Sequence, residues 1–236
     1  MNLQMLYPSG GLFYHLRAWR YRRGLWMPFH HHVLRWLTDW RPSAEHLVLL
    51  GPSGGYALSS QFLARFGRIT VIEPDPLAHL ILRRRFPATR FDFATAAIAT
   101  ASGLNDLVER YPQAAFLFCN LLGQELVGAP PDFECQAWLH ALESILGNRA
   151  WASWHELVST AQSPARFELV SRPGAEPLEV VCAQFWPGGE LELHDHGCTG
   201  LCPTQTHQYA IWSLTPHNFH LIEWLCSQVA RKPPLG

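Results

Sequence analysis

The sequence predicts an α/β protein: a doubly wound, mostly parallel seven-stranded sheet with a C-terminal antiparallel hairpin and an N-terminal helical extension. Three observations carry this. Short apolar runs of strand length alternate with helically spaced segments from His46 to Leu157. A glycine turn, Gly51 to Gly55, stands between the first such strand and the segment after it. Two late apolar runs, 209–214 and 219–225, flank the turn sequence Thr215–Pro216–His217.

Residues 12–40 read as two helices broken near Gly24 and Pro28. They carry Phe13, Trp19, Tyr21, Trp26, Phe29, Trp36 and Trp40, interleaved with Arg17, Arg20, Arg22, Arg23 and Arg35. Such a pattern gives a solvated face and a core face. Residues 1–43 are therefore expected to be a helical lid or extension, and 44–230 the main domain. Strand 46–50 and helix 56–66 follow, then strand 69–73 and helix 76–86. A short strand is expected at 90–92, a helix at 104–110 and an apolar strand at 114–120. Helix 133–146 and strand 150–157 complete the parallel part, and helix 177–186 precedes the hairpin. Right-handed crossovers place the strand-end loops together, so a ligand belongs at the carboxyl ends where strand order reverses.

The composition narrows the function. The chain has 236 residues, 48% of them apolar, and a formal net charge of −1. That suffices for one full α/β core and supplies no global field for nucleic acid or an anionic membrane. No window reads as a membrane span and no secretory pattern opens the chain. The six cysteines sit mostly in apolar runs, as buried thiols in a reducing cytoplasm would.

The stretch from His46 to Asp75 makes a chemical prediction. Gly51, Gly54 and Gly55 let backbone approach a ligand closely. Glu73, about 20 residues on at the tip of the second strand, can accept from both hydroxyls of a ribose. The ligand implied is a nucleoside-bearing cofactor. A nicotinamide fingerprint wants G-x-G-x-x-G, whereas this turn reads Gly51-Pro-Ser-Gly54-Gly55.

These residues resemble the first motif of the class I S-adenosylmethionine-dependent methyltransferases, and the resemblance extends over roughly 44–226. Gly51, Ser53 and Gly55 match its spaced small residues, Glu73 its ribose-binding acid, and Asp75 follows as in many members. The resemblance implies S-adenosyl-L-methionine as cofactor, with Asp92 at the adenine amino group and Asn120 near the methyl-transfer centre. It implies methyl transfer to a small molecule or small peptide. Leu49 stands where the family usually carries an acid, which keeps open a second reading: a non-catalytic binding or partner protein, dimeric through its Trp-rich face.

Methyl transfer needs alignment and sometimes a base. Asn120 and His155 are the candidates from the strand ends, with Gln124, Glu125 and Glu156 beside them. Adjacent strand residues face opposite ways, so one of His155 and Glu156 is expected to face the ligand, with His155 preferred. The segment from His194 to Cys202 is the densest polar cluster. Asp195, His196 and Thr199 are read as lining a substrate pocket. The alternative is zinc held by His194, His196, Cys198, Cys202 and His207, although the spacing fits no strong finger pattern and no metal is assigned. The run His30–His31–His32 fans around a helix and is expected to pack rather than ligate. His217 and His220 are expected at the surface.

Overall fold

The structure, a computed structural model, describes residues 11–98, 100–122, 135–188 and 191–227. Within them a nine-stranded sheet carries helices on both faces. The strands are β1 (His46–Leu50), β2 (Arg68–Ile72), β3 (Phe91–Ala94), β4 (Ala115–Cys119), β5 (Trp151–Thr160), β6 (Val170–Arg172), β7 (His194–Asp195), β8 (His207–Thr215) and β9 (Asn218–Cys226). The helices are α1 (Gly11–Tyr21), α2 (Met27–Asp39), α3 (Ser60–Leu63), α4 (Pro76–Arg85), α5 (Ala101–Arg110), α6 (Cys135–Leu146) and α7 (Leu178–Phe185).

The sheet runs β3-β2-β1-β4-β5-β9-β8-β6, parallel through β5 and antiparallel beyond it. β1 and β4 are apolar throughout because both faces of these central strands are covered. Strand order reverses between β1 and β4, so the crevice at their carboxyl ends lies beside Gly51 and Asn120. Five parallel strands closed by the antiparallel pair β9–β8 form the sheet the sequence predicts. β6 and β7 add to it; with three and two residues they carry no periodicity to read. β7 pairs with β5 beyond the end of β4, at Val158↔Asp195 and Ser159↔His194.

One expected helix shrinks. The helical spacing of 56–66 yields only the four residues of α3, because the Ser59 hydroxyl accepts from the Phe62 amide at 3.1 Å and caps the helix there. Pro28 sits in the first turn of α2, where its missing N–H costs nothing.

Two apolar clusters lie on opposite faces of the sheet. α1 and α2 build into the first: Trp26 is fully buried, its indole N–H donates to the Leu214 carbonyl at 3.0 Å, and Phe29 stacks on Trp212 at 5.1 Å. Each such aromatic pair adds about 0.5–1.5 kcal/mol beyond burial.

On the second face the antiparallel strands bury a charged cluster. Glu223 of β9 lies 3.1 Å from His155 Nε2 and 2.7 Å from His207 Nδ1. His155 Nδ1 also meets the Ser153 hydroxyl at 3.1 Å, and His207 Nε2 the Cys202 carbonyl at 3.1 Å. Burial pushes the Glu223 carboxyl up, but the two imidazoles outweigh it and hold the group down at about 2. Burial pushes His207 down, and Glu223 more than reverses it, so its value is raised.

Both shifts stabilise the fold, over a bounded pH window. The Glu223 contribution is complete above its unfolded value of about 4.3 and is lost as pH falls toward 2. The His207 contribution is complete below about 6.5 and is lost as pH rises through its raised folded value. Glu223→Gln should cost about 3 kcal/mol in urea unfolding. The difference from wild type should be widest between about pH 4.3 and 6.5 and narrow on either side.

Candidate functional site

The carboxyl ends of β1, β2, β4 and β5 bring the site together. Gly51 and Gly55 adopt positive φ (62° and 64°), as does Ser53 (48°), so the turn doubles back over β1. The carboxylate of Glu73 closes it: one oxygen accepts from the Ser53 amide at 2.8 Å, the other from the Asp75 amide at 3.0 Å. Burial raises the Glu73 pKa, while these two N–H donors pull it down. A carboxylate offers about four lone-pair sites, so two remain for further donors such as ribose hydroxyls.

The glycines' missing Cβ atoms are used by the chain itself. A Cβ on Gly51 would come within 2.9 Å of Leu121, on Gly54 within 2.8 Å of Ile81 and Tyr56, and on Gly55 within 2.7 Å of Leu82. Two other amides of the turn are also engaged: Gly51 N–H donates to Ile72 and Gly55 N–H to Pro52. With Glu73 already seated on Ser53, and α3 too short and too far along the chain to aim its N-terminus here, the turn is not built for a pyrophosphate. A pyrophosphate would meet a carboxylate where a dinucleotide site presents free N–H groups.

α1 covers this crevice. His15 bonds the Tyr56 hydroxyl at 2.8 Å through Nδ1 and lies 3.0 Å from an Asp75 oxygen through Nε2. Asp75 also caps α4, accepting from the Leu77 amide at 2.8 Å. Tyr14 beside it has its hydroxyl acidity suppressed, first by burial and then by Tyr56 and Glu156. Burial also pushes Tyr56 up to about 12.

At the β4 tip, Asn120 holds a left-handed φ of 57° and its amide donates to the Trp154 carbonyl at 2.8 Å. Its side-chain Nδ2 donates to Glu156 Oε1 at 2.6 Å. Glu156 in turn lies 2.9 Å from His220 Nδ1 and 3.5 Å from His196 Nε2. Burial raises the Glu156 carboxyl, but His220, Asn120 and His196 outweigh it and hold it far below the usual range. Burial lowers His196, with Glu156 opposing. Arg17 of α1 stands in the field of both Glu156 and Tyr14.

Several sequence expectations change here. His155 does not face Asn120: it is fully buried on the opposite face of β5 with Glu223, and Glu156 takes the position at the strand tips. Strand alternation allowed either choice and the sequence did not reveal the phase of β5. Asp92 is not at a tip. It aligns with Thr70, two residues before the end of β3, and pairs with Arg68 at 3.1 Å at the amino ends of the strands. The adenine contact expected of it is therefore withdrawn.

Asp195 is exposed and accepts from the Gly197 amide at 2.7 Å, outside the cluster, whereas its neighbour His196 is within it. The zinc set of the 194–207 segment does not assemble: His207 is bound to Glu223, Cys202 N–H to Glu143, and His194 is exposed. His217 is exposed as expected, but His220 is buried in the site. β9 is buried on both faces, so no alternation along it marked His220 in the sequence. His30 packs edge-on to Trp26 and His32 stacks near Trp224. Gln124 and Glu125 lie outside the described residues.

The parallel half and the antiparallel closing pair make a Rossmann-like α/β sheet. No protein-family model matches the chain, and no curated protein matches it in sequence. Among solved structures, it is similar to an S-adenosylmethionine-dependent methyltransferase of Clostridium acetobutylicum (10% identity, TM-score 0.40, 90% of this chain and 97% of that one). It is similar to CalS10, an amino pentose methyltransferase of Micromonospora echinaspora (14%, TM-score 0.37, 90% and 80%). It is also similar to a Rhodobacter sphaeroides protein assigned to the Zn-dependent alcohol dehydrogenases (12%, TM-score 0.33, 51% of this chain), of whose length it spans 44%. No helix among the described residues is long and apolar enough to cross a membrane.

The His15 contacts tie α1 to the crevice. His15→Ala should lower stability by about 1–2 kcal/mol, read as a fall of roughly 2–8 °C in thermal midpoint.

Proposed function

We propose that the protein binds S-adenosyl-L-methionine across the tips of β1 and β2 and transfers its methyl group to a small molecule or small peptide. The observation that carries this reading is the Glu73 carboxylate seated in the glycine turn, with lone pairs left for a ribose and its negative charge on the Ser53 amide where a pyrophosphate would need to bind. That favours an adenosyl cofactor without phosphates over a nicotinamide dinucleotide. The acids Glu73, Asp75 and Glu156 lining the crevice also suit a cationic sulfonium.

In this reading Gly51, Ser53 and Gly55 shape the floor, Glu73 holds the ribose, and Asp75 anchors the α1 cover through His15. The bound cofactor supplies an electrophilic methyl group. Asn120 and Glu156 are the residues beside the reacting centre: Asn120 orients, and Glu156, held ionised, accepts a hydrogen bond from the acceptor. The free cysteines support a reducing cytoplasm as the protein's compartment.

A second reading has its own observation. Leu49 is buried apolar strand rather than an acid, and Leu121 packs directly on Gly51 where the methionine part would approach. This favours a binding or partner protein on the same fold, one that has lost cofactor use.

Calorimetry with S-adenosylhomocysteine separates the two. One site per chain is expected, and Glu73→Ala should weaken it by roughly 10- to 100-fold, the range of a charged hydrogen-bond contact. No heat and no thermal shift at millimolar ligand would leave the binding-protein reading. Leu121→Ala should then open the turn and restore measurable affinity if Leu121 alone blocks it.

A further inference from the structure

We propose that Glu156, His196 and His220 form a mononuclear site for a first-row divalent transition metal at the carboxyl ends of β4 and β5. One ligand atom from each of the three lies within 4.8 Å of the other two. The donors come from three separated parts of the chain: β5, the residue following β7, and β9. Their side chains are buried, at 8% exposure for Glu156, His196 and His220 alike.

An ion pair alone does not account for this arrangement. His220 Nδ1 lies 2.9 Å from Glu156 Oε2 yet is not aligned as a hydrogen bond, and neither ring nitrogen of His196 or His220 has a hydrogen-bond partner. Asn120 Oδ1 is likewise buried without one, on the residue whose Nδ2 grips Glu156. Several unsatisfied polar atoms converging in one buried place require an explanation, and an ion is one that satisfies them together.

The spacing agrees. Imidazole nitrogen and carboxylate oxygen bind zinc at about 2.0–2.2 Å, so donors around a tetrahedral ion stand about 3.3 Å apart. The observed separations from Glu156, 2.9 and 3.5 Å, straddle that value. Glu223 differs in degree: His207 bonds both its carboxylate, at 2.7 Å, and the Cys202 carbonyl, and His155 bonds Ser153, so the unpaired atoms there are one facing pair, His155 Nε2 and Glu223 Oε2 at 3.1 Å. Two imidazoles and one carboxylate leave coordination positions open, as in metal centres that bind an exchangeable oxygen ligand. Asn120 supplies the remaining polar group beside them, holding the carboxylate in place as outer partners of metal ligands do.

The site stands independently of the adenosyl reading, and its test uses no adenosyl compound. Chelator-treated full-length protein is titrated by calorimetry with zinc and, separately, with manganese. One ion per chain is expected, with zinc bound at micromolar or tighter affinity. Glu156→Gln and His220→Ala should each weaken zinc by more than the roughly 10- to 100-fold that losing an outer-shell partner costs. His196→Ala, on the loop after β7, provides the same reading if His220→Ala fails to fold, with circular dichroism as the check.

Cobalt(II)-loaded protein should show visible d–d bands with no thiolate charge-transfer band. Absence of binding by wild type, affinity unchanged in His196→Ala, or a thiolate band from Cys198 or Cys202 would each overturn the assignment. A parallel titration with S-adenosylhomocysteine reports on the cofactor reading separately, so either can fail without the other.

Discussion

β5 has ten residues and its parallel neighbour β4 has five. A strand that outruns its partner inside a protein leaves backbone N–H and C=O groups that must be paired elsewhere. Here β4 pairs with β5 as far as Trp154, and β7 pairs with it from Val158 onward. The register slips in between, next to Glu156. That gap in the ladder is where the site forms. Asn120 turns off the end of β4, Glu156 projects from the irregular stretch of β5, and the chain leaving β7 brings His196 back, its amide bonded to the Leu157 carbonyl at 2.9 Å.

The antiparallel half of the sheet buries two glutamates, each facing two histidines, on opposite faces. They are not equivalent. Around Glu223, His207 bonds both the carboxylate and the Cys202 carbonyl and His155 bonds Ser153, leaving one facing pair, His155 Nε2 and Glu223 Oε2, unbonded; the worth of this network is stability. Around Glu156 the contacts are close but the nitrogens are unsatisfied, and the cluster opens toward the strand tips. A half-satisfied buried polar set is costly to keep for folding alone. The metal assignment gives that cost a use.

The glycine turn is equally particular. Its glycines allow close packing of Leu121, Tyr56 and Leu82, and its central amide is taken by the chain's own carboxylate. The same turn that resembles a cofactor motif is thus stabilised from within. The aromatic N-terminal helices complete the enclosure: Trp26 and Phe29 lock onto the β8–β9 ribbon, while His15 reaches across to Asp75 and Tyr56. Glu73 and the Glu156 cluster thus both stand at the carboxyl edge of the sheet, with Tyr14 of α1 in the field of each.

The local pattern of the chain determined its architecture. Apolar runs such as His46–Leu50 and Ala115–Cys119 have the length and turn-flanked setting of buried parallel strands, and the glycine turn and Glu73 were legible because strand, turn and acid are close in sequence. The late hairpin was legible for the same reason. Tertiary structure alone decided which strand residues face the crevice. His155 and Glu156 are neighbours pointing opposite ways, and their phase depends on an irregularity in pairing with β9, more than sixty residues away. Asp92 looked like a tip residue until the register of β3 on β2 was known. The cluster of Glu156, His196 and His220 was invisible to sequence spacing because its donors are gathered by two non-local ladders, β5–β7 and β5–β9, and no local rule links residues joined only through a sheet.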